Sequence, residues 1–396
     1  MEVELATGTS GGLLDSNDHA QSIFKHAIIR HYLPPFLAMT GSTSDGRRLV
    51  VMDGFAGRGR YADGNPGSAE LILRAVERLK ESRSVSTFFA ETDRDNYRAL
   101  AAVVGEYERK GLAARALHGP AEVHLASVVA AAQGVPLFLF LDPCGAMLPF
   151  SHLAEVLQAP RRAARPPTEL LLNFSAEFTR RTTGQLVKGQ VDAAGVQRMD
   201  VTCGTPRWRE VAMNAHLASR DGTFEVAAEA VVSGYAKKLA HAASMFQVTV
   251  PVRRRLRLQP VYHLVFLTRS QYGLWVFADA LGKARQEWLR ATGRLDDDSG
   301  PQLALPGLTK EDDMQYLIDN EKDRAQKIIE QNLRSLTRSG LRPFTLVDRT
   351  TAVFGDAYGI ATDATVSAAV RALECRRELV IRGRSRQIRQ YSVGPA

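Results

Sequence analysis

The sequence predicts an α/β fold: a doubly wound, Rossmann-like sheet followed by a C-terminal winged-helix-like module. Three observations predict it. Residues 49–60, Leu-Val-Val-Met-Asp-Gly-Phe-Ala-Gly-Arg-Gly-Arg, carry an apolar run into an acid and a glycine-rich turn. Short apolar runs then alternate with helix-spaced segments as far as residue 174, the order that builds a parallel sheet with helices on both faces. Beyond a Gly/Pro-containing stretch at 296–306, a long polar helix leads to an amphipathic helix and two alternating strands around a basic turn.

Taken in order, residues 1–17 are polar and Gly/Ser-rich and are expected to be flexible, and 20–36 carry helical spacing through Ile23, Ala27, Ile28 and Leu33. Leu49 to Met52 suit a strand buried on both faces. A helix over 69–80 and a strand over 87–91, ending in Glu91, follow. Next come a helix over 96–109, a short strand over 114–117, a helix over 121–132, a strand from Pro136 delivering Asp142, and a fifth strand over 169–174. A basic loop with Arg161, Arg162 and Arg165 precedes that fifth strand. Residues 180–240 read as a helical insertion, then strands over 246–258 and 261–268 and a helix over 272–290 close the domain. The expected organisation is therefore a sheet domain over 18–295, a connecting helix over 308–338 and the end module over 340–396, in which Asp363 is the expected N-cap of the amphipathic helix.

Composition narrows the function classes. The chain has 396 residues, 45% hydrophobic and 24% charged, ordinary for a globular protein. Neither end reads as a targeting signal and no apolar run reaches the length of a membrane span, so the expectation is a cytoplasmic protein without a membrane partner. Cys144, Cys203 and Cys375 match no metal or disulfide spacing, so free thiols and no metal are expected. A formal net charge of +8, from 51 basic and 43 acidic residues, is compatible with a polyanionic partner.

The glycine turn specifies chemistry. Gly57 and Gly59 permit a tight turn and close backbone approach to an adenosine-containing ligand, with Phe55 beside them. Asp53 at the strand end would repel a pyrophosphate but accepts hydrogen bonds from a cationic amino group, such as that of S-adenosylmethionine. No Gly-Lys-Ser/Thr follows, which excludes a phosphate loop. Glu91 is placed to bind two ribose hydroxyls, and ligands of such sheets sit at the carboxyl ends of the strands. In Asp142-Pro143-Cys144-Gly145 the carboxylate and the Pro143 carbonyl are candidates to accept hydrogen bonds from an amino group, aligning its lone pair toward a methyl donor. Amino-methyltransferases of adenine or cytosine carry a related Asp-Pro-Pro-Tyr or Asn-Pro-Pro-Tyr pattern. Gly145 stands at the aromatic position, leaving Phe150 or Phe174 to stack on a base. Cys144 lacks a neighbouring base or cationic field and reads as a small packing residue rather than a nucleophile. Arg253, Arg255 and Arg257 would share one strand face, either to contact phosphates or as a solvated face, while Arg382, Arg384, Arg386 and Arg389 of the basic turn are candidates for nucleic-acid contact.

Taken together, the chain resembles the three-Cys-motif partner family of bacterial proteins, which look like class I methyltransferases. The residues that carry the resemblance are Lys25 with His31-Tyr-Leu33, Met52-Asp-Gly-Phe-Ala-Gly-Arg-Gly-Arg-Tyr61, Gly67-Ser68 and Phe88-Phe-Ala-Glu91. Phe140-Leu-Asp-Pro-Cys-Gly145, Glu169-Leu-Leu-Leu-Asn-Phe174 and Tyr262-His-Leu-Val-Phe266 with Thr268 continue it, over about residues 20–290. The resemblance implies a methyl-donor fold and a neighbouring partner protein. The chain departs from the family pattern at Cys144, where the family tends to have Phe, and in His118-Gly-Pro-Ala-Glu122, which lacks the usual Gly-Asp and leaves Glu122 as the candidate adenine contact.

The leading expectation is an S-adenosylmethionine-dependent methyltransferase acting on an amino group of a nucleic-acid base. Two alternatives stay open: a non-catalytic nucleic-acid-binding protein that keeps the fold, and a methyltransferase of a small molecule or protein.

Overall fold

The computed structural model describes residues 20–143, 148–161, 167–219, 222–297, 310–338 and 342–396. The chain divides into two compact units, one comprising Phe36–Arg269 and one comprising Ala20–Pro35 with Ser270–Ala396. The division falls at residue 270, well ahead of the composition shift at 296–306. The expected flexible segment 1–17 lies outside the described residues.

The strands of the first unit are β1 (Arg48–Asp53), β2 (Ser84–Glu91), β3 (Ala113–His118), β4 (Leu137–Leu141), β5 (Thr168–Ser175), β6 (Phe246–Arg253) and β7 (Pro260–Thr268). They form one sheet in the order β3-β2-β1-β4-β5-β7-β6. β1 to β5 are mutually parallel, and β7 is antiparallel to β5 and to β6. This is the Rossmann-like, doubly wound sheet that the sequence predicts. Strand order reverses between β1 and β4, so the carboxyl ends of these two strands border the crevice where such sheets bind ligands.

Helices α1 (Ala20–Ser42), α2 (Ser68–Glu77), α3 (Arg94–Glu108), α4 (Ala121–Ala131) and α5 (Phe150–Gln158) alternate with the strands. α1 runs through Pro34 and Pro35, past the expected end at Phe36, although each proline removes a donor from the helical ladder. Every residue of Leu137–Leu141 is buried, because β4 lies inside the sheet with both faces covered. One face packs Val50, Met52, Leu139 and Leu172 against Leu125, Val128 and Leu153 of the helices. The expected insertion consists of α6 (Ala176–Val187), α7 (Ala194–Cys203), α8 (Trp208–Ala218) and α9 (Glu225–Ala243), and α9 buries Val231, Tyr235 and Leu239 in the same core.

Two expectations change here. β6 ends at Arg253 after a register shift, so Arg255 and Arg257 occupy an exposed loop, 254–259, rather than the face of a strand reaching 258. Arg161, read as part of a basic loop, is 1% exposed. It donates to the carbonyls of Ala132, Val135 and Pro167 and to the Thr168 hydroxyl, and burial lowers its pKa to about 10. Arg162 and Arg165 lie outside the described residues.

The second unit contains α10 (Gln271–Asp297), α11 (Lys310–Arg338), β8 (Phe344–Thr345), α12 (Thr350–Phe354), α13 (Asp363–Cys375), β9 (Val380–Gly383) and β10 (Ser392–Gly394). The three strands form an antiparallel sheet in the order β8-β10-β9. Polar α11 is no solvated bridge: Ile318, Ala325, Ile329 and Leu333 form one buried stripe, and the last three join Trp275, Phe354 and Val366 in this unit's core. The N-cap of α13 is Thr362, which forms a capping box with Thr365, so Asp363 stands one position inside the helix. The Asp363 carboxylate accepts from Trp275 Nε1 at 2.6 Å and faces Arg389 at 3.6 Å. Arg389 is 8% exposed and serves this packing rather than a nucleic-acid surface.

Candidate functional site

Three carboxylates gather at the carboxyl ends of neighbouring strands. Asp53 pairs in register with Phe89 of β2 and Phe140 of β4, so Glu91 and Asp142 each stand two residues farther along their strands. Strands about 4.8 Å apart place the three within a width of about 10 Å. β5 extends the row, because Leu141 pairs with Leu172 and the next residues are Asp142 and Asn173.

The turn after β1 is built around Asp53, which is fully buried. Its Oδ1 accepts from the Phe55 N–H at 3.1 Å and its Oδ2 from the Ser68 hydroxyl at 2.6 Å. The carboxylate thereby ties the turn to the first residue of α2. Gly54 N–H donates to Phe140 O and Ala56 N–H to Ala90 O, pinning the turn across β4 and β2. Gly57 and Gly59 have φ of 57° and 77°, left-handed values that side chains resist. A Cβ on Gly67 would stand 2.9 Å from the Gly59 carbonyl, to which Gly67 N–H donates. Phe55 packs its ring into the core, so it borders the turn with its backbone only.

Arg60 locks the far side of the loop. It donates from Nε and Nη2 to both oxygens of Glu70, at 2.7 and 3.0 Å, and from Nη2 to Glu106 at 3.0 Å. Glu70 is 2% exposed and also receives Arg74 and the Tyr107 hydroxyl. Burial opposes its ionisation, yet the hydrogen bonds from Arg60 and Arg74 hold its pKa below the usual value.

Glu91 is 3% exposed; Oε1 accepts from Asp93 N–H at 2.8 Å, and Oε2 is buried without any hydrogen bond. Burial raises its pKa, opposed by backbone N–H groups led by that of Asp93. A buried carboxylate oxygen left unpaired is costly unless a ligand supplies the donor. Glu122 stands half-buried in the first turn of α4, directly after β3.

At the other end of the row, Asn173 donates from Nδ2 to Asp142 Oδ1 at 2.5 Å. Asn173 is 7% exposed, and its Oδ1 has no partner. Asp142 is half-buried and Pro143 buried, whereas Cys144 and Gly145 lie outside the described residues. Phe174 is fully buried, with its ring 4.9 Å from Tyr235, and is unavailable to stack on a base. Phe150 is engaged by Lys238, whose ammonium stands 4.1 Å from its ring centroid.

Sequence reasoning missed the roles of Ser68 and Asn173. Both lay inside quoted motifs, but hydroxyl and amide side chains carry no period of their own, and only strand register shows what they face. The remaining arginines scatter. Arg253 donates to Glu225 Oε1 at 2.6 Å and to Leu258 O at 2.5 Å, while Arg255 and Arg257 are exposed on the loop. Arg382, Arg384 and Arg386 are exposed in or after β9, and Arg384 meets Glu374 at 2.9 Å. Cys203 is a buried free thiol with its pKa pushed up to about 12 by desolvation, and Cys375 is free and exposed. Among the described residues no cluster of three His, Cys, Asp or Glu side chains is arranged to hold a metal, and no helix is long and apolar enough to cross a membrane.

No family model and no curated protein matches the chain. Solved structures resemble it at low identity. The small RNA methyltransferase HEN1 is 11% identical with a TM-score of 0.32, over 68% of this chain and 27% of that one. A methyltransferase from Geobacter sulfurreducens is 14% identical, TM-score 0.26, over 59% and 75% of the two chains. The geranyl diphosphate C-methyltransferase from Streptomyces coelicolor A3(2), solved with S-adenosyl-L-homocysteine, is 10% identical, TM-score 0.26, over 68% and 88%. The match thus spans about a quarter of the HEN1 chain, and no residue role is carried across from any of the three.

Proposed function

We propose that the chain is an S-adenosylmethionine-dependent methyltransferase whose acceptor is an amino group on a nucleic-acid base. The observation that carries the reading is the row Glu91, Asp53, Asp142 at the strand-order reversal, with Glu91 Oε2 buried and unpaired. The glycine cradle and the free carboxylate oxygen fit an adenosine-containing methyl donor: Glu91 would take its ribose hydroxyls, Glu122 would border its adenine, and the backbone at Phe55, Gly57 and Gly59 would approach it closely. When bound, that cofactor supplies an electrophilic methyl group. Asp53, both of whose oxygens hold the turn, acts first as the organiser of the cradle and adds negative charge beside the cationic end of the ligand.

Asp142 accepts a hydrogen bond from the acceptor's amino group, together with the Pro143 carbonyl. Asn173 fixes the Asp142 carboxylate in line and offers Oδ1 as a further acceptor. This arrangement works by orientation and electrostatics. What supports a nucleic-acid acceptor is the second unit: helix, strand, two helices and two strands with the sheet order β8-β10-β9 fit the expected winged-helix-like module, whose wing would carry Arg382, Arg384 and Arg386. The motif resemblance to the three-Cys-motif partner family points to the same cofactor.

Calorimetry with S-adenosylhomocysteine tests the cofactor, and absence of binding overturns the reading. Asp142→Ala should abolish methyl incorporation into nucleic acid from labelled donor while calorimetric cofactor affinity stays within about threefold, since Asp142 touches the acceptor. Full retained activity removes Asp142 from the chemistry. Mass spectrometry of nucleosides from cells with and without the gene identifies the base, and no difference favours a metabolite or protein acceptor.

A further inference from the structure

The first unit holds a cationic cleft of about 560 Å³ lined by Arg180, Arg181, Lys188, Thr223, Phe224 and Gln259, among others. Its volume lies within the range of ligand-binding pockets. One wall is α6, where residues 180, 184 and 188 recur at the four-residue spacing of one helix face. The rest of the lining is Thr223 and Phe224 ahead of α9 and Gln259 at the end of the β6–β7 loop, and Arg180 Nη1 donates to the carbonyl of the next residue, Pro260. No described lining residue is a carboxylate. The acids that face Arg180 are already matched, Glu225 by Arg253 at 2.6 Å and Glu177 by Arg254 at 3.5 Å.

Arg253 shapes that loop. Its guanidinium reaches the Leu258 carbonyl as well as Glu225, closing on itself the loop that ends in Gln259. Arg181 and Lys188 are separated by about 10 Å along the helix, too far for one phosphate to satisfy both but suited to successive charges on an extended polyanion. The cleft also has a flat aromatic element: the Phe224 ring stacks on His216, centroids 4.5 Å apart and planes 26° from parallel. α6 begins at the residue after Ser175, itself two beyond Asn173, so Arg180 follows Asn173 by about 7 Å of strand and about 8 Å of helix rise along the chain.

We infer that this cleft binds the backbone of a single-stranded nucleic-acid substrate, with Arg181 and Lys188 on phosphates and Phe224 under a base. The inference rests on the methyltransferase reading and names its substrate: a flexible strand with unstacked bases. Aromatic faces and cations in one groove are how proteins hold single strands.

The test is fluorescence anisotropy with a labelled single-stranded oligonucleotide across a salt series. It is run on the full chain and on the full chain with Arg382, Arg384 and Arg386 changed to alanine, which isolates the cleft. In the latter background, Arg181→Ala with Lys188→Ala should weaken binding about tenfold and lower the slope of log K against log salt by about 1.4, two single-strand phosphate contacts. Phe224→Leu should weaken oligonucleotide binding about tenfold while leaving inorganic polyphosphate binding unchanged. Unchanged affinity and slope in the double variant overturn the inference, as does polyphosphate bound as tightly as the oligonucleotide with Phe224→Leu indifferent. Calorimetry with S-adenosylhomocysteine, run in parallel, separates the two readings: lost cofactor binding in the unaltered chain sinks the methyltransferase, whereas lost cleft contacts with cofactor binding intact sinks only the cleft.

Discussion

Glu91 shows how much a single side chain can say once its surroundings are known. As a strand-end acid in a sequence it is one candidate among several; buried with Oε2 outside any hydrogen bond, it is the acid of the row on which the proposed cofactor contact rests. Its raised pKa has a sign that can be checked. The folded chain holds the Glu91 proton more tightly than the unfolded chain, so its contribution to stability is present at low pH and is lost as pH rises through the folded pKa. Ligand hydroxyls favour the carboxylate, so cofactor affinity should fall as pH drops through a window that begins above 4.5, the ordinary value for a glutamate. Calorimetry between pH 8 and pH 5 measures this, and Glu91→Gln should bind weakly with that dependence removed; an identical profile in the variant would dismiss Glu91 as the titrating group. Asn173 teaches the complementary lesson, since its value lies in standing opposite Asp142 in register.

At the scale of elements, apolar periodicity located most helices and strands, because a strand buried on both faces and a helix with one apolar stripe leave distinct spacings. It erred where side-chain bonds decide. β6 stops at Arg253 because a register shift and the Arg253–Leu258 bond turn the chain, and alternation alone carried the strand on to 258. α13 is capped by Thr362, one residue before the acid that composition favoured. The segment before β5 reads as basic and solvated, yet Arg161 is its internal staple. Replacing it with methionine removes the donor to the Val135 carbonyl, while the carbonyls of Ala132 and Pro167 keep the N–H groups of Val135 and Leu137. Arg161→Met should therefore lower unfolding free energy by about 2 kcal/mol in urea titration; a change below about 0.5 kcal/mol would show that carbonyl satisfied otherwise.

At the scale of the molecule, the second unit has its own core around Trp275, Ile329, Phe354 and Val366 and presents Arg382, Arg384 and Arg386 outward. If these contact nucleic acid, changing all three to alanine should reduce the salt slope of duplex binding by up to about 2.7, at 0.9 per phosphate, with cofactor affinity unaltered. A slope that does not move would leave the unit as a structural one. What the sequence by itself determined was the sheet, the glycine turn and the three acids at its carboxyl edge, because strand burial, left-handed turns and strand-end charges each restrict residue type locally. Only the tertiary structure decided that Arg161 and Arg389 are internal, that α11 packs into a core, and that Asn173 and Ser68 donate to Asp142 and Asp53. Those outcomes depend on partners far along the chain, and a guanidinium, hydroxyl or amide reads the same in sequence whether it faces water, a buried carbonyl or a ligand.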